Sequence, residues 1–132
     1  MAAQTGWLGA LRDEQIGVAI ARIHANPEHD WSVASLADEV AMSRSAFAAR
    51  FTELVGESAM RYVTRWRMHV AFDLLQRGDG SVASVAAKVG YGSEAAFSRA
   101  FKRVIGTTPR AARVTDTSTQ LPQQIRVAAA AH

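Results

Sequence analysis

The chain has 132 residues, of which 48% are hydrophobic and 20% charged, with no cysteine and a formal net charge of +3. That length suits one ordinary domain or two small, joined ones, and the lack of cysteine excludes disulfides and thiol chemistry and leaves a zinc site only His and carboxylates. No apolar run reaches the ~18 residues that a membrane span needs, and Met1 to Thr5 lack the basic-then-apolar pattern of a signal peptide, so a soluble, cytoplasmic protein is expected.

Residues 1–12 read as a lead-in, with Trp7, Leu8 and Leu11 available to pack back on the first helix. Asp13 and Glu14 give that helix an acidic start, and Ile16, Ala19, Ile20 and Ile23 recur at helical spacing until Asn26-Pro27 ends the pattern. Val33, Leu36, Ala37 and Val40 form a second apolar stripe, with Ser32 placed as its cap. After a short break at Ala41-Met42-Ser43, the residues Phe47, Phe51, Leu54 and Val55 mark a third helix, capped by Ser43 and stopped by Gly56. Ser58 can cap a longer fourth helix to about Gln76, with Val63, Val70, Ala71 and Leu74 on its inward face. At about 1.5 Å per residue such a helix is a strut of about 27 Å. Gly78-Asp79-Gly80 turns the chain, and Ser81 caps a fifth helix carrying Val82, Val85, Ala86 and Val89. Gly90-Tyr91-Gly92 turns it again, and Ser93 caps a sixth helix with Phe97, Phe101, Val104 and Ile105, ended by Gly106. Thr108-Pro109 starts a short last helix. Residues 114–132 have no sustained apolar face and are expected to be disordered. No stretch alternates at period two, so the fold expected is all-α.

The chain repeats itself. Ser-Val-Ala-Ser-Leu-Ala-Asp-Glu-Val at 32–40 is answered by Ser-Val-Ala-Ser-Val-Ala-Ala-Lys-Val at 81–89. The match slips by one residue between Val89 and Phe97 and then resumes, with Phe47, Phe51 and Gly56 answered by Phe97, Phe101 and Gly106. Each copy has the pattern of a helix-turn-helix: one helix that buries a stripe, a tight turn, and a second helix held across it with its outer face free. With the Phe pairs buried, Ser45, Ala48, Ala49 and Thr52 turn outward in the first copy, and Ala95, Ser98, Arg99 and Lys102 in the second. These faces are small or basic. Ala41 stands where the second copy has Gly90, and a left-handed backbone there costs alanine about 1 kcal/mol. Charge is divided unevenly, at −4 over residues 1–60 and +7 over 61–113. That asymmetry is a mild pointer to an anionic partner; the plainer reading is a solvated basic face.

Residues 13–113, about three-quarters of the chain, resemble the C-terminal DNA-binding domain of the AraC/XylS family of bacterial transcription regulators. The resemblance rests on the run from Val89 to Lys102 with Gly106-Thr107-Thr108-Pro109 and Arg113, and on Met42-Ser43-Arg44-Ser45 before Phe47 and Phe51. Ala112 departs from it, standing where the family often has Tyr. It implies about seven helices in two homeodomain-like helix-turn-helix subdomains, at 13–57 and 78–113, joined by a linker helix at 58–77. Helices over about 43–55 and 93–105 would enter successive major-groove segments, one turn of B-DNA being about 34 Å. The partners it implies are double-stranded DNA and RNA polymerase, with an effector-binding domain expected in a longer parent chain. This piece is expected to act as a monomer, without a cofactor and without enzymatic activity.

The candidate base-contacting residues are Arg44, Ser45, Ala48, Ala49, Thr52, Glu94, Ala95, Ser98, Arg99 and Lys102. Arg99 lies mid-face and can bind guanine bidentately, an interaction worth about 1–3 kcal/mol of discrimination; the plainer reading is a surface Arg paired to an acid. Arg44, in the first turn, reaches base or phosphate. Ala48 and Ala49 either touch thymine methyls or act as spacers. Glu94 has three readings: an acceptor from a cytosine amino group, a favourable charge for the helix dipole, or a group that rejects other sequences. Ser32, Ser43, Ser58, Ser81, Ser93 and Thr108 are caps, and such caps also place backbone N–H groups at phosphates. Arg67 matches a position that the resemblance implies is structural. Two rival readings remain. One is a helical protein-interaction module without direct DNA readout, against which the basic, poorly apolar face argues. The other is a DNA-repair alkyltransferase, which would need the thiol this chain lacks.

Overall fold

A computed structural model of the chain describes residues 12–114. The expectations for Trp7, Leu8 and Leu11 and for the tail after Val114 lie outside the described residues. Within them the structure is all-α, with seven helices: α1 (Glu14–Ala25), α2 (Val33–Glu39), α3 (Arg44–Val55), α4 (Ala59–Arg77), α5 (Val82–Lys88), α6 (Glu94–Ile105) and α7 (Pro109–Val114). None of these is long and apolar enough to cross a membrane. The chain divides into two compact units, Met1–Val63 and Thr64–His132, so the boundary falls inside α4.

In the first unit, Asp13 caps α1 by accepting from the Ile16 N–H at 3.0 Å, and Ile16, Ala19, Ile20 and Ile23 are buried. Trp31 closes the following loop, its indole N–H donating to the Asn26 carbonyl at 2.8 Å. Ser32 and Ser35 form a reciprocal capping box at the start of α2. Gln15 reaches from α1 to donate to the Val40 carbonyl at 2.8 Å, just beyond the end of α2. Behind α3 lie Phe47 and Phe51, both fully buried, with ring centroids 5.7 Å apart. Phe51 in turn meets Tyr62 edge-on at 5.8 Å. Burying each such ring contributes roughly 1.5–3 kcal/mol, so the Phe pair is what presses α3 onto its unit.

The second unit repeats this arrangement. Its core joins Met68, Ala71, Phe72 and Leu75 of α4 to Val85, Ala86 and Val89, to Phe97, Ala100 and Phe101 of α6, and to Ala112 of α7. The rings of Phe97 and Phe101 lie 5.6 Å apart, and Tyr91 meets Phe97 edge-on at 5.7 Å. Two side chains hold α7 in place although Ala112 lacks a large group of its own. Gln76 Nε2 donates to the Ala112 carbonyl at 2.6 Å, and the Arg113 guanidinium donates to the Gly80 carbonyl.

The inward face expected for α4 needs correction. Val63 and Ala71 are buried as expected, but Val70 and Leu74 are only partly so. Tyr62, Met68, Phe72 and Leu75 take the buried positions instead, with His69 beside them. A single stripe is the wrong template for this helix. Tyr62 and Val63 belong to one unit and Met68 to Leu75 to the other, so two apolar faces are written along one helix.

Candidate nucleic-acid interface

The two tight turns are built alike. In the first, the Ala41 N–H donates to the Asp38 carbonyl at 3.3 Å and the Met42 N–H to the Ala37 carbonyl at 3.0 Å. In the second, Gly90 donates to Ala87 at 3.0 Å and Tyr91 to Ala86 at 2.9 Å. Both are Schellman endings, which satisfy the last helix carbonyls and require a left-handed residue after the helix. Ala41 (φ 58) and Gly90 (φ 92) supply it. The extra residue of the second copy is therefore Gly92, which lies beyond the turn proper and precedes the cap of α6.

From these turns α3 and α6 start on matching caps. Ser43 Oγ accepts from the Ala46 N–H at 3.2 Å and Ser93 Oγ from the Ala96 N–H at 3.0 Å. Both helices run 12 residues and end at a left-handed glycine, Gly56 and Gly106. The other four expected caps are also in place. Ser32 accepts from Ser35, Ser58 from Arg61, Ser81 from Ser84 and Thr108 from Ala111, at 3.0–3.2 Å. All six hydroxyl residues are exposed.

With Phe47 and Phe51 turned inward, α3 presents Arg44, Ser45, Ala49 and Thr52 to solvent, with Ala48 half-buried. With Phe97 and Phe101 inward, α6 presents Glu94, Ala95, Arg99 and Lys102, with Ser98 half-buried in the position of Ala48. Each set thus lies on one outer helical face of its own unit. Neither face carries a large exposed apolar side chain. Arg67, read as structural, sits 5.9 Å over the Tyr91 ring and so braces the second turn.

Two features escape a reading of the sequence. Arg50 of α3 is engaged by Asp13, Nη1 to Oδ2 at 3.0 Å, while the other carboxylate oxygen caps α1. The partners are 37 residues apart, and no local pattern signals such a pair. Glu53 and Arg103 are exposed on the flanks of α3 and α6, about 40° round the helix from Ala49 and Arg99. The outward sets expected from the sequence leave both out, although each lies nearer the point opposite its Phe pair than Thr52 or Lys102 does, on the other side of the face, and the 50-residue offset between the copies sets them against each other. Among the described residues, no group of three or more His, Asp or Glu side chains is placed to hold a metal ion.

Known proteins share this arrangement. A family model described as a helix-turn-helix domain matches residues 36–114. The HTH-type transcriptional regulator AlkR of Acinetobacter baylyi is 44% identical over 104 residues, covering 79% of this chain and 34% of that protein. Among solved structures, the DNA-binding domain of the global transcriptional factor AdpA, in complex with a target DNA, matches with a TM-score of 0.70 and 31% identity over 74% of this chain and 87% of that one. A transcriptional regulator from Chromobacterium violaceum, of a group with AraC-type DNA-binding domains, matches with a TM-score of 0.72 and 25% identity over 77% of this chain and 91% of that one. The chain spans about a third of the length of the curated relatives it matches.

Proposed function

The chain belongs to the AraC/XylS family of DNA-binding helix-turn-helix transcription regulators, and from that premise we propose that it binds double-stranded DNA sequence-specifically by inserting α3 and α6 into successive major-groove segments. The observation that carries this reading is the duplicated outer face. Each of the two helices has a buried Phe pair behind it and small or charged residues in front. A small residue lets a helix approach base edges closely, and a basic one supplies a donor for base or phosphate. The exposed caps support the same reading, since helix N-termini offer N–H groups to phosphate oxygens.

The two faces divide the work of reading. The second offers Arg99 and Ser98 to the bases, with Lys102 beside them for phosphate; the first offers Arg44, Ser45, Thr52 and the two alanines, Ala48 and Ala49. The second half-site is therefore read more through hydrogen bonds, and the first more through shape and thymine methyl contacts. Because both readers lie in one chain, a monomer suffices for a long asymmetric site. Such a target places its work in the cytoplasm.

Fluorescence anisotropy with random duplex DNA at two salt concentrations tests the reading. A DNA binder weakens steeply as salt rises, because each neutralised phosphate releases counterions. A protein-interaction module shows little binding at either concentration. Selection of bound sequences from a random duplex pool then yields the length and asymmetry of the site.

A further inference from the structure

The two reading helices match in their scaffold and carry opposite charges at two matched positions, Arg44 against Glu94 in the first turn and Glu53 against Arg103 near the end. Taken at the offset of 50 set by the Phe pairs, Glu53 of α3 holds the position of Arg103 in α6. Ala49 likewise holds that of Arg99, and Thr52 that of Lys102. Glu53, Arg99, Lys102 and Arg103 are all exposed, and none has an ion pair or hydrogen bond to another described side chain. The imbalance extends to the whole units. Residues 1–63 hold five arginines against eight acids, and residues 64–132 hold ten basic residues against four acids. Two of the first unit's five arginines are paired within it, Arg22 with Glu39 at 3.2 Å and Arg50 with Asp13 at 3.0 Å, while of the second unit's ten basic residues Arg77 is paired with Asp73 at 3.5 Å. Arg44 is the cation left free on α3 among the described residues.

The flank of a helix lying in the major groove faces the phosphate backbone, while its outermost residues face the bases. On α6 that flank carries a cation; on α3 it carries a carboxylate. Resting on the DNA reading above, we infer that on DNA of arbitrary sequence the chain grips through its second unit alone, and that Glu53 is the residue that holds the first reading helix off. The second unit attracts any duplex. The first meets repulsion from the phosphates at its flank and docks only where its base and methyl contacts exceed that repulsion. A site of the right sequence is then bound by two helices and any other sequence by one.

The test uses random-sequence duplexes of about one and about two helical turns, roughly 10 and 21 base pairs, with the salt dependence of binding measured on each. For the unsubstituted chain, the slope of log K against log salt is the same on both lengths, because a single unit binds either. Glu53→Arg reverses the flank charge at an exposed, unpartnered position, and circular dichroism melting checks that the fold is retained. That variant steepens the slope on the longer duplex by at least about 0.9, the value of one additional neutralised phosphate, and leaves the shorter duplex unchanged. Arg103→Gln makes the slope shallower by about 0.9 on both lengths. A slope for the unsubstituted chain already steeper on the longer duplex overturns the inference, as does a Glu53→Arg variant that shows no length-dependent change. Absence of salt-dependent binding to either duplex would instead refute the DNA reading itself.

Discussion

Ala41 and Gly90 hold the same place in the two tight turns, and both have a left-handed backbone, at φ 58 and φ 92. The same pair of hydrogen bonds back to the preceding helix surrounds each of them. The first unit thus adopts with alanine a conformation that glycine takes without a Cβ clash. That clash costs about 1–2 kcal/mol, and glycine returns about 0.4–1 kcal/mol of it through the entropy of the unfolded chain. Ala41→Gly is expected to stabilise the first unit by about 0.5–1 kcal/mol, read as a shift in the urea midpoint with the slope unchanged. A loss of stability would show that the turn gains more from the alanine side chain than it loses to strain.

Asp13 makes two bonds with one carboxylate, to the Ile16 N–H and to Arg50. The first is a helix cap, worth about 1 kcal/mol. The second is an ion pair whose partners are 46% and 20% exposed, so solvent screening holds it to about 0.2–1 kcal/mol. Asp13→Ala is expected to cost about 1–2 kcal/mol, and Arg50→Ala less than half as much. High salt narrows the loss for Arg50→Ala and leaves most of that for Asp13→Ala, because only the ion pair is screened. Equal losses in both variants would mean that the ion pair, and not the cap, holds the start of α1.

The features legible in the sequence are those whose partners lie within one helical turn. The hydroxyls of Ser32, Ser43, Ser58, Ser81, Ser93 and Thr108 each bond an N–H three residues on, so a short pattern marks them. Phe47 and Phe51 are one turn apart, and their burial sets the phase that turns Ser45, Ala49 and Thr52 outward. Features that depend on distant residues leave no such mark. Gln15 bonds Val40 from 25 positions away, and Gln76 bonds Ala112 from 36. The face of α4 escapes periodicity for a related reason: its phase follows two cores, while periodicity assumes one.

Gln76 tests how firmly α7 is held. Its side chain is the link between α4 and the Ala112 carbonyl, and the bond at 2.6 Å is partly buried. Gln76→Ala leaves that carbonyl without its side-chain donor, so a loss of about 0.5–1.5 kcal/mol is expected. Faster hydrogen exchange should be confined to α7 and the turn at Gly80, where Arg113 also bonds. Exchange that rises throughout the second unit would show that α7 is part of its core cooperativity and not a docked appendage.

Arg99 and Lys102 share the outer face of α6 and should behave differently when removed. Arg99 lies mid-face, where a planar guanidinium can address two acceptors on one guanine. Arg99→Ala is expected to cost about 1–3 kcal/mol at one or two base pairs of a selected site while leaving random-duplex binding nearly intact apart from one charge. Lys102, one turn on, carries a point charge suited to phosphate. Lys102→Ala is expected to weaken all sequences alike and to make the salt slope shallower by about 0.9. If Arg99→Ala instead weakens every sequence equally, Arg99 is a phosphate contact and base reading by α6 must come from Ser98 or Glu94. Base-by-base substitution of the selected site locates the effect: the larger penalties should fall in the half read by α6, and larger penalties in the other half would sink the division of labour between the two faces.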